Sequence, residues 1–212
     1  MLYLLSAPRQ SGKTRWLQSL VEGLEARGVV CSGVLAPGRW RREPDGSLSK
    51  LGIDNLLLPQ HELLAFARPA NPVTHGLRAN RIDAAHAPRG DRDGCSQSRR
   101  AGLGWDISDV ALGRVNRHFG SLGGLALEAD RPGLMVVDEL GPLELRRGEG
   151  LCQALALLEE GPRPAWPHAV VVVRPSLLDL ATKRLRPAWG RPEPIEPTST
   201  CQERVLEGFP LG

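Results

Sequence analysis

The sequence predicts an α/β fold, a three-layer sandwich in which a mostly parallel sheet carries helices on both faces and a β-hairpin follows the second strand. Two observations carry this reading. The apolar runs at 134–137 and 169–173 are continuous rather than alternating, as strands covered on both faces are. Stretches with one apolar helical face are interleaved with the strand candidates. Length agrees, since 212 residues make one comfortable domain that buries about 70% of its unfolded surface without a metal or disulfide staple.

The elements follow in order. Residues 2–6 form a short apolar strand, bounded by Ala7-Pro8. Trp16, Leu17, Leu20, Val21 and Leu24 share one helical face, and Gly28 stops that helix. Residues 29–35 are the second strand, and Pro44-Asp45-Gly46 turns 40–43 back on 47–58 as a hairpin. Its Arg39, Arg41 and Arg42 are expected to form a solvated edge.

The window 67–104 holds seven Arg against three Asp and few large apolar side chains. At 38 residues it exceeds ordinary loop length and is expected to be an insertion, lid-like or disordered, within a single domain spanning 1–212. Ser108 or Asp109 then caps a helix carrying Val110, Leu112, Val115, Phe119 and Leu122. The strand at 134–137 runs into Asp138-Glu139 and ends at Gly141-Pro142. A helix at 151–158, a strand at 169–173, a helix at 177–185, an edge strand at Ile195 and a helix at 201–206 complete the pattern.

Composition excludes several classes. With 41% hydrophobic and 24% charged residues, the chain is neither collagen-like, coiled-coil nor wholly disordered. No apolar run approaches the roughly 20 residues needed to span a bilayer, so a soluble, cytoplasmic protein is expected. Cys31, Cys95, Cys152 and Cys201 form no C-x-x-C pair, which argues against a zinc site or disulfide framework. The five histidines show no ligand spacing either. Of 27 basic residues only three are lysines, and Lys13 falls in the segment that carries the clearest chemistry.

That segment is Ala7-Pro8-Arg9-Gln10-Ser11-Gly12-Lys13-Thr14, which fits the phosphate-binding loop in its broader form. It follows a strand and opens an amphipathic helix, as the physics requires. Amides of the turn and of the new helix converge on phosphate oxygens, and the helix N-terminus adds positive potential. Lys13 would neutralise β- and γ-phosphate charge, and Thr14 would offer its hydroxyl to Mg²⁺. Val136-Val137-Asp138-Glu139 supplies the complementary half, a carboxylate pair at the carboxyl end of a buried strand. Asp138 would hold the metal with Thr14, and Glu139 would orient and deprotonate the attacking water. These parts imply a fold like that of the P-loop nucleoside-triphosphatases.

At this point the chain resembles the THEP-type, or cancer-related, nucleoside-triphosphatases. Val137-Asp138-Glu139-Leu140-Gly141-Pro142-Leu143-Glu144-Leu145 is similar to their D-E-I-G-x-M-E-L signature. Gly33-Val34-Leu35 before a basic hairpin, Trp105-Asp106-Ile107-Ser108 in place of a Y-x-V-N segment, and Ile195-Glu196 with Arg204 agree in order. The resemblance covers nearly the whole chain outside 67–104. It departs in the loop, where Ala7 and Gln10 stand for glycines and Arg9 for proline. The resemblance implies slow hydrolysis of ATP, GTP and other nucleoside triphosphates with loose base selectivity.

A phosphoryl transition state favours an arginine donor. Arg174, directly after a strand, is the first choice over Arg9, Arg146, Arg78, Arg81 and Arg89. Glu144 is either a second acidic group at the site or a surface carboxylate, and Trp105 is the candidate for stacking on a base. Two other readings remain open, a nucleoside or nucleotide kinase and a nucleotide-switched module acting with a protein partner. Nucleic acid is disfavoured, because no aromatics are interleaved with the arginines and the net charge is only +3.

Overall fold

The computed structural model describes residues 1–70, 104–124 and 133–209, so most of the expected insertion, with Arg78, Arg81, Arg89 and Cys95, lies outside the described residues. The strands are β1 (Leu2–Ser6), β2 (Val30–Leu35), β3 (Gly38–Arg42), β4 (Leu48–Leu58), β5 (Glu62–Pro69), β6 (Trp105–Ile107), β7 (Gly133–Leu140), β8 (His168–Val173) and β9 (Glu193–Ile195). The helices are α1 (Lys13–Glu25), α2 (Asp109–Gly124), α3 (Cys152–Glu160), α4 (Leu178–Trp189) and α5 (Ser199–Glu207). All nine strands join one sheet in the order β6-β5-β4-β2-β7-β8-β1-β9, with β3 hydrogen-bonded to β4.

The apolar runs of β1, β7 and β8 split by strand alternation between two cores. Leu2, Leu4, Met135, Val137, Val171 and Val173 face one side, where they pack with Leu112, Val115 and Phe119 of α2, Leu155 and Leu158 of α3, and Leu185 of α4. Tyr3, Leu5, Leu134, Val136, Val170 and Val172 face the other, against Trp16, Leu17, Leu20 and Leu24 of α1 and Val205 of α5. Helices therefore cover both faces. Each of these strands needs both covers, because its apolar run puts buried side chains on both faces.

A mostly parallel sheet is not what forms. The pairings β1·β8, β1·β9, β2·β7 and β7·β8 are parallel, whereas β2·β4, β3·β4, β4·β5 and β5·β6 are antiparallel. For β3·β4 and β4·β5 the cause is connection length. No helix separates β2 from β5, and short connections force neighbouring strands to run opposite ways, since parallel pairing needs a crossover of about a dozen residues or more. The expected hairpin is present as β3 and β4, closed by a turn in which Glu43 N–H donates to Ser47 O and Ser47 N–H to Asp45 Oδ1.

Three local expectations are corrected. Residues 67–69, placed in the expected insertion, belong to β5 and pair with β6 from Ala67↔Ile107 to Pro69↔Trp105. Arg39 is not simply solvated, because it lies 3.3 Å from the buried Asp54. Val110 is 65% exposed on the outer side of α2, whose cap is Ser108, with its Oγ accepting from Ala111 N–H.

The contact between β2 and β7 is unusually close at Gly33. Its φ is +122°, and a Cβ there would lie 2.0 Å from Val136 O. Only glycine lets the second strand approach the strand that delivers the acidic pair.

Candidate functional site

Because β1, β2, β7 and β8 run in parallel, their carboxyl ends lie along one edge of the sheet. Ala7, Ala36, the Asp138-Glu139 pair and Arg174 follow or close those strands, so segments far apart in sequence share that edge.

The loop from Ala7 to Thr14 leaves β1 and winds into α1, whose first residue is Lys13. Gln10 and Gly12 take positive φ values of 61° and 86°, which curls the loop. Among the described residues no side chain caps α1, and its first turn carries no acid. Its N-terminal N–H groups therefore stay available to an anion. Lys13 Nζ donates to Ala7 O and Pro8 O, each at 2.7 Å, folding over the loop it would share with phosphate. Burial lowers its pKa, while the nearby Glu139 and Asp138 act to raise it.

The acidic pair sits on a β-bulge. Val137 pairs with Val171, and the next pairing is Leu140 with Val173, so β7 carries one more residue than β8 across this step. Glu139 has φ +96°, a conformation that costs a non-glycine residue about 1–3 kcal/mol. The bulge separates the two carboxylates: Asp138 is 6% exposed, whereas Glu139 opens to solvent. Bulges beside active sites re-aim side chains in this way.

Asp138 Oδ2 accepts from Ala36 N–H at 2.8 Å, and Oδ1 lies 3.4 Å from Thr14 Oγ1. Burial pushes its pKa up to about 6, against the Ala36 N–H and the Thr14 hydroxyl, which favour the charged form. Among the described residues no arginine, lysine or histidine forms an ion pair with it. A buried carboxylate facing a hydroxyl, both hard oxygen donors, and lacking a side-chain counter-ion fits a small divalent cation such as Mg²⁺. No group of three or more His, Cys, Asp or Glu residues is placed to hold a metal among the described residues, so protein ligation there would come from Thr14 and Asp138.

Glu139 and Arg174 are paired. Arg174 Nε and Nη2 lie 2.8 and 2.6 Å from Glu139 Oε1. Arg146 is exposed on a π-helical turn at Leu143–Arg147. Glu144 is neither a surface group nor a free site acid. It is buried, its Oε2 accepts from Gly141 N–H at 2.7 Å and its Oε1 from Leu151 N–H at 2.9 Å. It ties the turn after β7 to the start of α3.

Two side chains were missed by sequence reasoning. Lys50 on β4 places Nζ 4.9 Å from the Trp105 ring centroid and 5.6 Å from that of Trp40. Burial lowers its pKa, and Glu139 and Asp138 counter that shift; its ammonium lies over one face of Trp105. Its rarity as one of three lysines was the available signal. Asn55, also on β4, is 2% exposed and borders a cavity of about 150 Å³ beside Asp138 and Glu139. It shares a sheet face with Val34 and Leu57, where alternation calls for an apolar residue.

Comparison with known proteins bears on the fold. No family model matches the sequence, and no curated protein matches it. Among solved structures, the chain is similar to the solution structure of a human cancer-related nucleoside triphosphatase, with a TM-score of 0.52 and 15% identity over 98% of this chain and 93% of that one. At that identity the likeness shows a shared mixed α/β architecture. No helix among the described residues is long and apolar enough to cross a membrane.

Proposed function

We propose that this chain is a Mg²⁺-dependent nucleoside-triphosphatase that hydrolyses the γ-phosphate of ATP, GTP and related triphosphates, and that it is a distant relative of the THEP-type enzymes. One observation carries the reading. The hydroxyl that opens α1 and the buried carboxylate that closes β7, Thr14 and Asp138, meet 3.4 Å apart beside a helix start with no side-chain cap.

The roles follow from position. The loop Ala7, Pro8, Arg9, Gln10, Ser11, Gly12, Lys13 and Thr14 wraps the phosphates, its non-proline residues through main-chain N–H groups, and Lys13 exchanges its two carbonyl contacts for phosphate oxygens. Thr14 and Asp138 hold the metal. The cation, when bound, offsets charge on the β- and γ-phosphate oxygens. Glu139, solvent-accessible and one residue beyond the metal ligand, orients a water and takes its proton. Arg174 leaves its carboxylate partner for the transferring phosphoryl group and stabilises its charge there. Slow turnover and loose base selectivity are expected from the resemblance in sequence.

The test is a comparison of two variants by calorimetry and phosphate release. Lys13→Ala is expected to abolish binding of MgATP and MgGTP. Glu139→Gln is expected to retain binding and lose 10²–10⁴-fold in turnover. Absence of heat with every magnesium nucleotide in the unaltered protein overturns the reading.

A further inference from the structure

The cavity beside the acidic pair is not accounted for by triphosphate binding. Of the eight phosphate-loop residues only Arg9 borders it, and its inner wall is built instead from β4, β5 and the end of β6, including Ile53, Phe66 and Ile107. Asp138, Glu139 and Arg174 also border it, and the γ-phosphate would lie beside them. A triphosphate gripped by the start of α1 therefore points its terminal phosphate towards this space.

The wall chemistry is specific. The β4–β6 side is apolar apart from Asn55, which is almost wholly buried. Its side chain borders the cavity, and a buried side-chain amide nearly always has a hydrogen-bond partner. Glu144, the other buried polar side chain on the wall, is already saturated by Gly141 and Leu151. The space of about 150 Å³ matches that of an engineered apolar cavity known to admit benzene.

We propose that this cavity seats the hydroxyl-bearing acceptor of a phosphoryl transfer: a neutral molecule built on one six-membered ring, with a polar ring atom for Asn55 and a hydroxymethyl group reaching Glu139. The step balances without a further reactant. Glu139 takes the hydroxyl proton, the acceptor oxygen bonds to the γ-phosphorus, the bond from that phosphorus to the β,γ-bridging oxygen breaks, and the nucleoside diphosphate leaves. Water entering the same space in the acceptor's absence gives the hydrolysis proposed above. The inference rests on that reading for the position of the γ-phosphate.

The experiment uses the full chain with 3-pyridylmethanol, whose ring nitrogen can accept from the Asn55 amide, and benzyl alcohol, which lacks it. Fluorescent MgATP analogue binding is measured first: its absence overturns both readings, whereas nucleotide binding with phosphate release but no alcohol contact overturns this one alone. With nucleotide bound, NMR titration is expected to show both alcohols contacting Phe66 and Ile107, the pyridyl compound at least fivefold tighter. Phosphorus NMR is expected to show a pyridylmethyl phosphate beside inorganic phosphate. Asn55→Leu is expected to erase the fivefold preference, and Ala67→Met, which fills the cavity from β5, to lower both affinities more than tenfold, with melting curves confirming that each variant folds. If a variant is unfolded, the contacts and product in the unaltered chain decide. Nucleotide binding without either alcohol contacting Phe66, or contact without a phosphorylated alcohol, overturns the proposal.

Discussion

Thr14 and Asp138 are 124 residues apart in sequence and 3.4 Å apart in space, joined because the strand that carries Asp138 lies one strand away from the one that launches Thr14. Among the described residues Asp138 forms no ion pair, and burial lifts its pKa to about 6. Asp138→Asn is therefore expected to leave the nucleotide-free protein at least as stable as before, because a buried charge is costly. The same change should weaken magnesium-dependent nucleotide affinity by about tenfold or more. Thermal melting and calorimetry at matched magnesium read the two effects separately.

The Arg174–Glu139 pair is solvent-exposed, with side chains 38% and 46% accessible, so as a stabilising contact it is worth at most about 1 kcal/mol. Its importance should instead appear in turnover. Arg174→Ala is expected to shift the melting midpoint little, keep nucleotide affinity, and lower the rate of phosphate release by about 10²–10³-fold. An unchanged rate would remove Arg174 from its assigned role.

The loop between β1 and α1 and the acidic end of β7 were legible as structure because a strand, a tight turn and an amphipathic helix leave a pattern that few residues satisfy. The two cores were legible for a similar reason, since uninterrupted apolar strands require cover on both sides. The antiparallel half of the sheet was not. In β5, Leu63 is 61% exposed while Ala67 is buried, so side-chain polarity does not report which strand lies beside it. Glu144 and Asn55 were misread or unread because a polar residue in sequence looks the same whether it is solvated, bonded to buried amides or facing a cavity. Only the tertiary neighbours of each one separate those cases.

Gln10 holds φ +61° at a position where the loop's curl suits glycine. Left-handed backbone costs an L-residue about 1–2 kcal/mol, and part of that gain is offset by the greater freedom glycine adds to the unfolded chain. Gln10→Gly is therefore expected to raise stability by up to about 1 kcal/mol, seen as a higher urea midpoint at constant m-value. Nucleotide affinity should not fall, since the amide at this position is retained.

Gly33→Ala tests the close approach of β2 to β7. A methyl 2.0 Å from Val136 O, on a backbone at φ +122°, can be accommodated only by parting the two strands. A loss of about 4 kcal/mol or more is expected, read by denaturant unfolding. Because Asp138 follows Val136 and Val137 on β7, any folded remainder should also bind magnesium nucleotide more weakly.

His118 offers a pH test that is independent of the site acids. Its ring lies 3.1 Å from Gly33 O, packed edge-on to Phe119. Burial lowers its pKa below the ordinary 6.5, with the Gly33 and Leu58 carbonyls and Glu62 opposing the shift. The folded state thus binds this proton less tightly than the unfolded chain. Its contribution to stability is complete above pH 6.5 and is lost as pH falls from there through the depressed folded value. Asp138 and Glu144, whose pKa values are raised by burial, also contribute to the pH profile, so the comparison must be between variants. His118→Asn is expected to lose less stability than the unaltered protein between pH 7 and pH 5, measured by urea unfolding at both values. Identical losses in the two proteins would mean that the imidazole is not the group that titrates.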